Sequence, residues 1–174
     1  AIQQYAQRLA SDELTHVRFI RGALGSAAVA RPQIDLVNSF NTLGIAAGLI
    51  VPGQTFNPFA DDVSFLLGAF IFEDVGVTAY AGAARLIQNK DILEAAAGIL
   101  AIEAYHAGSI RTLLANLGAG IAVNKISAAR AAAGNGKEQG LTVPGNNYNA
   151  AAADSNSLAF RRTTGEVLNV VYIG

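Results

Sequence analysis

The chain has no cysteine in its 174 residues. That excludes disulfides, thiolate metal sites and cysteine nucleophiles, and leaves the redox compartment open. Charge is scarce too, at 14% of residues with a net value of -1. So neutral a chain has no electrostatic footprint for nucleic acid or an anionic membrane surface, and neither is expected as a partner. No apolar run is expected to span a membrane: Leu43 to Pro52 is too short, and the longest helical patterns carry charges at their centres. There is no strand-like alternation long enough to build a sheet, and no repeat of solenoid period. Methionine is absent as well, and the chain opens at Ala1 inside a helical pattern with no cap before it. The N-terminus is therefore expected to be processed or incomplete.

What is present is apolar and helical. With 52% hydrophobic residues, the chain can bury a core, and its length suits a single domain over 1–174. Helical periodicity predicts core helices over about 1–24, 61–89 and 91–117, with a C-terminal extension over 118–174. The residues between the first two helices, Ser26 to Phe59, form a long crossover marked by Pro32, Pro52 and Pro58, with short helical turns expected within Pro32 to Ala47. Asp61 or Asp62 is the expected cap of the next helix. Lys90 and Asp91 make so tight a connection that the helices on either side should pack antiparallel. In the extension, Ile121 to Ala133 reads as a helix and Gly134 to Ser157 as loop. Thr163-Thr164-Gly165-Glu166 matches a capping box ahead of a short helix from Val167 to Tyr172. The fold class is all-α.

Two polar motifs interrupt this apolar pattern. "IEAYHAG", residues 102 to 108, places Glu103 and His106 on the same stripe as Leu93, Ile99, Ala107, Ile110 and Leu114. A carboxylate on a packing face costs several kcal/mol, as a rough figure, unless something compensates it. "ASDELTHVRF", residues 10 to 19, repeats the arrangement with Glu13 and His16. These are the only two histidines, and each follows a glutamate by three residues. Residues three apart share a helix face, so each pair can bind one ion from one side. "FIFEDVGVTAY" adds Glu73 to the inward stripe of a third helix. Two Glu-x-x-His pairs with single glutamates from other helices make the dinuclear carboxylate site of ferritin-like bundles. The metal ligands expected are therefore Glu13, His16, Glu73, Glu103 and His106, with Glu13 and Glu103 as candidate bridges. Oxygen and imidazole donors suit two ions of iron or manganese, and zinc is not separated from them by ligand type.

The bland alternative is that an inward glutamate pairs with an arginine such as Arg18, Arg85 or Arg111. One Glu-x-x-His would not outweigh it; two pairs that use every histidine, together with a third inward glutamate, do. Asp12 and Asp74 adjoin ligands and could fix a histidine tautomer or face solvent. "GNGKEQG", residues 134 to 140, lacks the Ser/Thr after lysine that a phosphate loop needs and reads as a flexible turn. A Ser-His-Asp site is disfavoured because both histidines are committed. Tyr80 and Tyr105 read as packing residues.

"FEDVGVTAYAGAARLI", "AIEAYHAGSIRTLL" and "RRTTGEVLNVVY" resemble the ferritin-like domain of the desiccation-related proteins of bacteria and plants. The resemblance runs from the first Glu-x-x-His to "EVLNVVY". It implies a ferritin-like helical bundle, often behind an export signal, hence a periplasmic or extracellular location. The five ligands match second-, third- and fourth-helix positions of that family. Its first bundle helix, with a further glutamate, is expected to be missing from this chain and supplied by an upstream segment or a neighbouring subunit. The family's glycine-rich tail is also cut short at Gly174.

The function expected is a dinuclear iron or manganese protein that handles oxygen or peroxide in stress protection; if it is an enzyme, it is a catalase-like or ferroxidase-like oxidoreductase. The alternative is a structural subunit that self-assembles into a homo-oligomer or filament, with the metal site vestigial or structural.

Overall fold

The computed structural model describes residues 2–142, 145 and 148–172. Ala1, expected to open the first helix, lies outside the described residues, as do Gly174 and residues 143, 144, 146 and 147 of the expected loop. All regular elements are helical, with no strand among the described residues. The chain divides into two compact units, residues 1–35 and 36–174, and each is described by itself.

The first unit is α1 (Ile2–Leu24) and the segment after it. Arg8 and Asp12 form an i,i+4 ion pair at 2.8 Å on its polar side. Gly25, at φ +54°, opens a 3-10 turn over Gly25–Ala27 and ends the helix. Arg21 Nη1 donates to the carbonyl of Val29 at 2.7 Å, folding the departing chain back over the last turn.

The second unit is built around two long helices, α3 and α4. Ahead of them, α2 (Asn38–Ala46) lies within the expected crossover. Its Phe40 meets Phe72 edge-on at 5.8 Å and Phe56 at 6.1 Å, an arrangement aromatic rings favour. α3 (Asp62–Ala83) begins where the sequence places it: Asp61 Oδ1 accepts from the Ser64 amide at 2.8 Å. The Ser64 amide and hydroxyl hold the Asp61 carboxyl below the usual carboxylate range. Its other end falls short of the expected Asn89. Ala84–Leu86 tighten into a 3-10 turn, and Asn89 is extended because its side chain caps the next helix, accepting from the Asp91 and Ile92 amides at 2.9 and 3.1 Å. α4 (Lys90–Asn116) follows, so Lys90 and Asp91 belong to the helix and not to the connection.

α3 and α4 run antiparallel, as expected. Glu73 pairs with His106 while Gly76, one turn later on α3, lies against Glu103, one turn earlier on α4. Leu66, Phe70, Ile110 and Leu114 are fully buried. By length and composition, Asp62–Leu86 is apolar enough to cross a membrane, against the expectation that no segment would be. Half of the window that qualifies is buried inside the protein, and its Glu73 and Asp74 are partnered there; those are the marks of a core helix.

α4 ends at Gly118, whose φ of +73° only glycine adopts readily. The Gly118 and Ala119 amides reach back to the Ala115 and Leu114 carbonyls at 3.0 and 2.9 Å. α5 (Gly120–Ala133) buries Val123, Ile126, Ser127 and Arg130 at helical spacing. α6 (Thr164–Tyr172) starts three residues before the expected Val167, since the capping box acts one residue ahead of it. Thr163 Oγ1 accepts from the Glu166 amide at 3.3 Å, and Glu166 Oε2 from the Thr163 amide at 2.7 Å. Tyr105 does not pack: it is 71% exposed, on the side of α4 opposite the buried stripe.

Candidate metal centre

Three expected ligands line the seam between α3 and α4: Glu73 and His106 in contact, and Glu103 one turn along it against Gly76. Glu103 and His106 are one turn apart on α4, so both project from its buried face. Glu73 enters from α3, and its Oε2 lies 3.2 Å from His106 Nδ1. All three side chains are buried. Glu103 reaches the backbone of α3 because residue 76 is glycine: a Cβ there would overlap Glu103 Oε2. "FEDVG" thus supplies a carboxylate and, three residues on, the gap that admits a second one from the facing helix. Two carboxylates and an imidazole, withdrawn from water, are the donor set that iron, manganese or zinc takes.

In the first unit, Glu13 and His16 likewise share one face of α1, with Glu13 Oε1 3.4 Å from His16 Nδ1. In the first unit the three-residue spacing thus brings carboxylate and imidazole together; in the second, Glu103 and His106 share the buried face of α4, and the imidazole meets Glu73 of the facing helix.

Asp74 does not orient a histidine. It is buried, as one alternative required, but Arg111 grips it with Nε to Oδ1 at 3.0 Å and Nη2 to Oδ2 at 2.9 Å. Arg130 Nη2 adds a third bond to Oδ2, at 2.8 Å. The other Arg111 donors go to the carbonyls of Gln139, Gly140 and Asn149 at 2.7, 3.2 and 3.0 Å. All five guanidinium hydrogens are then engaged, which removes Arg111 as the partner proposed for an inward glutamate. Asp12 bonds Arg8 of its own helix.

Sequence reasoning missed how far this network extends. Glu138 Oε1 accepts from Arg130 Nη2 at 2.9 Å and Oε2 from Arg162 Nη2 at 3.1 Å. Arg111, Arg130 and Arg162 are each at most 2% exposed. Both Arg111 and Arg130 also stack near the Phe70 ring, with Cζ at 5.2 and 4.1 Å from its centre. The stretch read as a flexible turn thus carries Glu138 into the core, where it bridges two arginines. The signal was available: Arg130 lies on the stripe of Val123, Ile126 and Ser127, as Glu103 lies on the stripe of α4.

The ferritin-like domain family matches residues 1–116 of this chain. Over 93% of its length the chain is 33% identical to the desiccation-related protein PCC13-62 of Craterostigma plantagineum, of which it covers 58%. Over 98% of its length it is 28% identical to the ferritin-like catalase Nec2 of Nesocodon mauritianus, of which it covers 60%. The chain therefore spans about three fifths of the length of the curated relatives it matches. No solved structure matches it.

Proposed function

From the premise that the chain belongs to the ferritin-like domain family, we propose that it binds two iron or manganese ions and acts on oxygen or peroxide. The ligands proposed are Glu13, His16, Glu73, Glu103 and His106. The observation that carries this reading is the buried Glu73–His106 contact at 3.2 Å, with Glu103 admitted to the same seam one turn along by Gly76. A buried glutamate that merely stabilised the fold would be expected to meet a guanidinium, as Asp74 does; Glu73 meets an imidazole, which can donate a lone pair to a metal.

When bound, a pair of such ions supplies coupled changes of oxidation state. The protein's own residues do the rest. The carboxylates offset the ions' charge, and the seam keeps bulk water from the donors. The contact with Glu73 fixes which His106 nitrogen remains for the ion, since a ring nitrogen that donates to a carboxylate leaves the other as the lone pair. Peroxide is favoured as substrate because the relative from Nesocodon mauritianus is named a catalase, and peroxide disproportionation needs no co-substrate.

Elemental analysis and anomalous scattering at the iron and manganese edges test the reading, on protein from metal-replete cells. Two ions per chain are expected, with oxygen evolved on addition of peroxide. Protein that carries no transition metal and takes none up would overturn it.

The second reading is a subunit that self-assembles. Val51, Phe59, Leu86 and Ile121 of the second unit are 60–76% exposed, and a low net charge opposes association little. Light scattering after size exclusion tests it; a monodisperse monomer in dilute buffer counts against assembly.

A further inference from the structure

Near the C-terminal end of α3, two clefts of about 310 and 510 Å³ share Gly82, Arg85, Arg162 and Thr163. Residues 159–163 belong to the wall of the first, and this strap is fastened to the helix. The Arg162 amide donates to the Thr78 carbonyl at 3.0 Å, and Arg162 Nη1 to Thr78 Oγ1 at 2.9 Å. Gly82 makes the close approach feasible, because any Cβ there would collide with the Arg162 carbonyl.

The first cleft is cationic, lined by Arg85, Lys137, Arg161 and Arg162 against one acid, Asp154. Two of the four cations are already neutralised: Lys137 by Glu166 at 2.7 Å, and Arg162 by Glu138 at 3.1 Å. Asp154 Oδ1 accepts from the Asn156 and Leu158 amides at 2.8 and 3.0 Å, so it serves its own turn. Arg85 and Arg161 have no ion-pair partner among the described residues. The second cleft is apolar, lined among others by Ala79, Ala83, Leu86 and Val167, with Leu86 70% exposed.

We propose that these joined clefts bind an organic anion, its carboxylate or phosphate on Arg85 and Arg161 and its apolar body on Ala83, Leu86 and Val167. Guanidinium forks match the planar or tetrahedral oxygens of such a head group. Two unpaired arginines against the single Asp154 carboxylate leave the cleft a net positive charge, which favours an anion from solution. The apolar cleft adjoining Arg85 selects for a ligand with a hydrocarbon portion over a bare inorganic ion. The site lies wholly in residues 79–167 and uses none of the proposed metal ligands, so the two proposals stand or fall separately.

Calorimetric titration of the intact chain with octanoate, octanol and inorganic phosphate is the test. Saturable binding of one octanoate per chain is expected, tighter than either other probe and weakened by added salt. Arg85→Gln and Arg161→Gln should each weaken it about tenfold, the usual loss for one charged hydrogen-bond partner. Arg85→Lys keeps the charge but not the fork, and should bind more weakly than wild type by less than tenfold, a result that can be read even if the glutamine variant does not fold. No saturable octanoate binding, octanol or phosphate binding as tightly as octanoate, or unchanged affinity in both glutamine variants would each overturn the proposal.

Discussion

Glu73 and Asp74 are neighbours on α3 and are buried to nearly the same degree, 5% and 7% exposed, yet they serve opposite ends. Asp74 turns to Arg111 and Arg130, whose guanidiniums have no lone pair and give up no proton near neutrality. Glu73 turns to His106, whose imidazole has a lone pair to offer a metal. A buried carboxylate among arginines is fixed in one geometry and holds the extension after α4 to the helix pair. A buried carboxylate beside an imidazole, with a second glutamate one turn along the seam, carries the donor types proposed above to hold a cation. The partner, and not burial itself, separates scaffold from site.

The largest effect should come from breaking the scaffold side. Asp74→Ala removes the carboxylate that Arg111 and Arg130 both bond and leaves them only Glu138, at 3.8 and 2.9 Å; removing one partner of a buried pair costs about 3–5 kcal/mol. Urea denaturation, with chelator present, reads this directly. A loss under about 1 kcal/mol, the range of an exposed pair, would place the network at the protein's surface in practice.

On the other side, Glu103→Leu should act on metal and hardly on the fold. Metal content should drop while the chelated variant stays within about 1.5 kcal/mol of chelated wild type, the usual range for a size-conserving core exchange. Replacing a charge on a packing face by a hydrocarbon of similar size offsets what is lost. Arg111 cannot be left stranded, because its donors are engaged elsewhere. If chelated Glu103→Leu falls as far as Asp74→Ala, Glu103 is a structural partner and the comparison collapses.

Much of this was legible in the sequence because helix periodicity is a strong signal. The stripes through Phe70, Ile110 and Leu114 fall where the 3.6-residue period puts them, and the Glu-x-x-His spacing dictates the Glu13–His16 contact within α1. Pairing between elements was less legible. Asp74 could be placed beside Glu73 but not assigned to Arg111 and Arg130, 37 and 56 residues away, since nothing local distinguishes a buried ion pair from a solvated one. The same holds for Glu138, which sits in a glycine-rich stretch of loop composition and is buried only because arginines from α5 and the strap converge on it. Helix ends depended on side-chain caps: Asp61 and Thr163 were readable, whereas Asn89 moved the end of α3 back by several residues.

Two glycines of α3 sharpen the comparison with a smaller effect. At Gly76 an added Cβ meets the tip of Glu103, a flexible side chain; at Gly82 it meets the Arg162 backbone. Gly76→Ala should therefore keep or slightly raise helix stability, by up to about 1 kcal/mol from propensity, while displacing Glu103 and weakening metal binding. Gly82→Ala should destabilise, because the strap must move, and leave metal affinity alone. Thermal melts of chelated protein and metal titrations on both variants check the crossed pattern. Equal metal loss in the two would show that Glu103 is not the group Gly76 accommodates.

The smallest effect belongs to a half-buried carboxylate, the third kind in the molecule. Glu166 is held by Lys137 at 2.7 Å, by the Thr163 amide at 2.7 Å and by Asn135 at 3.1 Å. These bonds, the lysine's first, lower its pKa from 4.5 to about 2. A folded-state pKa below the unfolded one means that the charged form stabilises α6. That contribution is complete above pH 4.5 and disappears as pH falls through about 2. Glu166→Gln removes the charge at every pH, so the stability difference between wild type and variant should be modest near neutrality, shrink with added salt, and close across this acid window. Urea midpoints for the two proteins, measured as pH is lowered from neutrality through the window, give that difference. A gap that stays constant from neutral to strongly acidic solution would mean the capping geometry stabilises α6 and the charge does not.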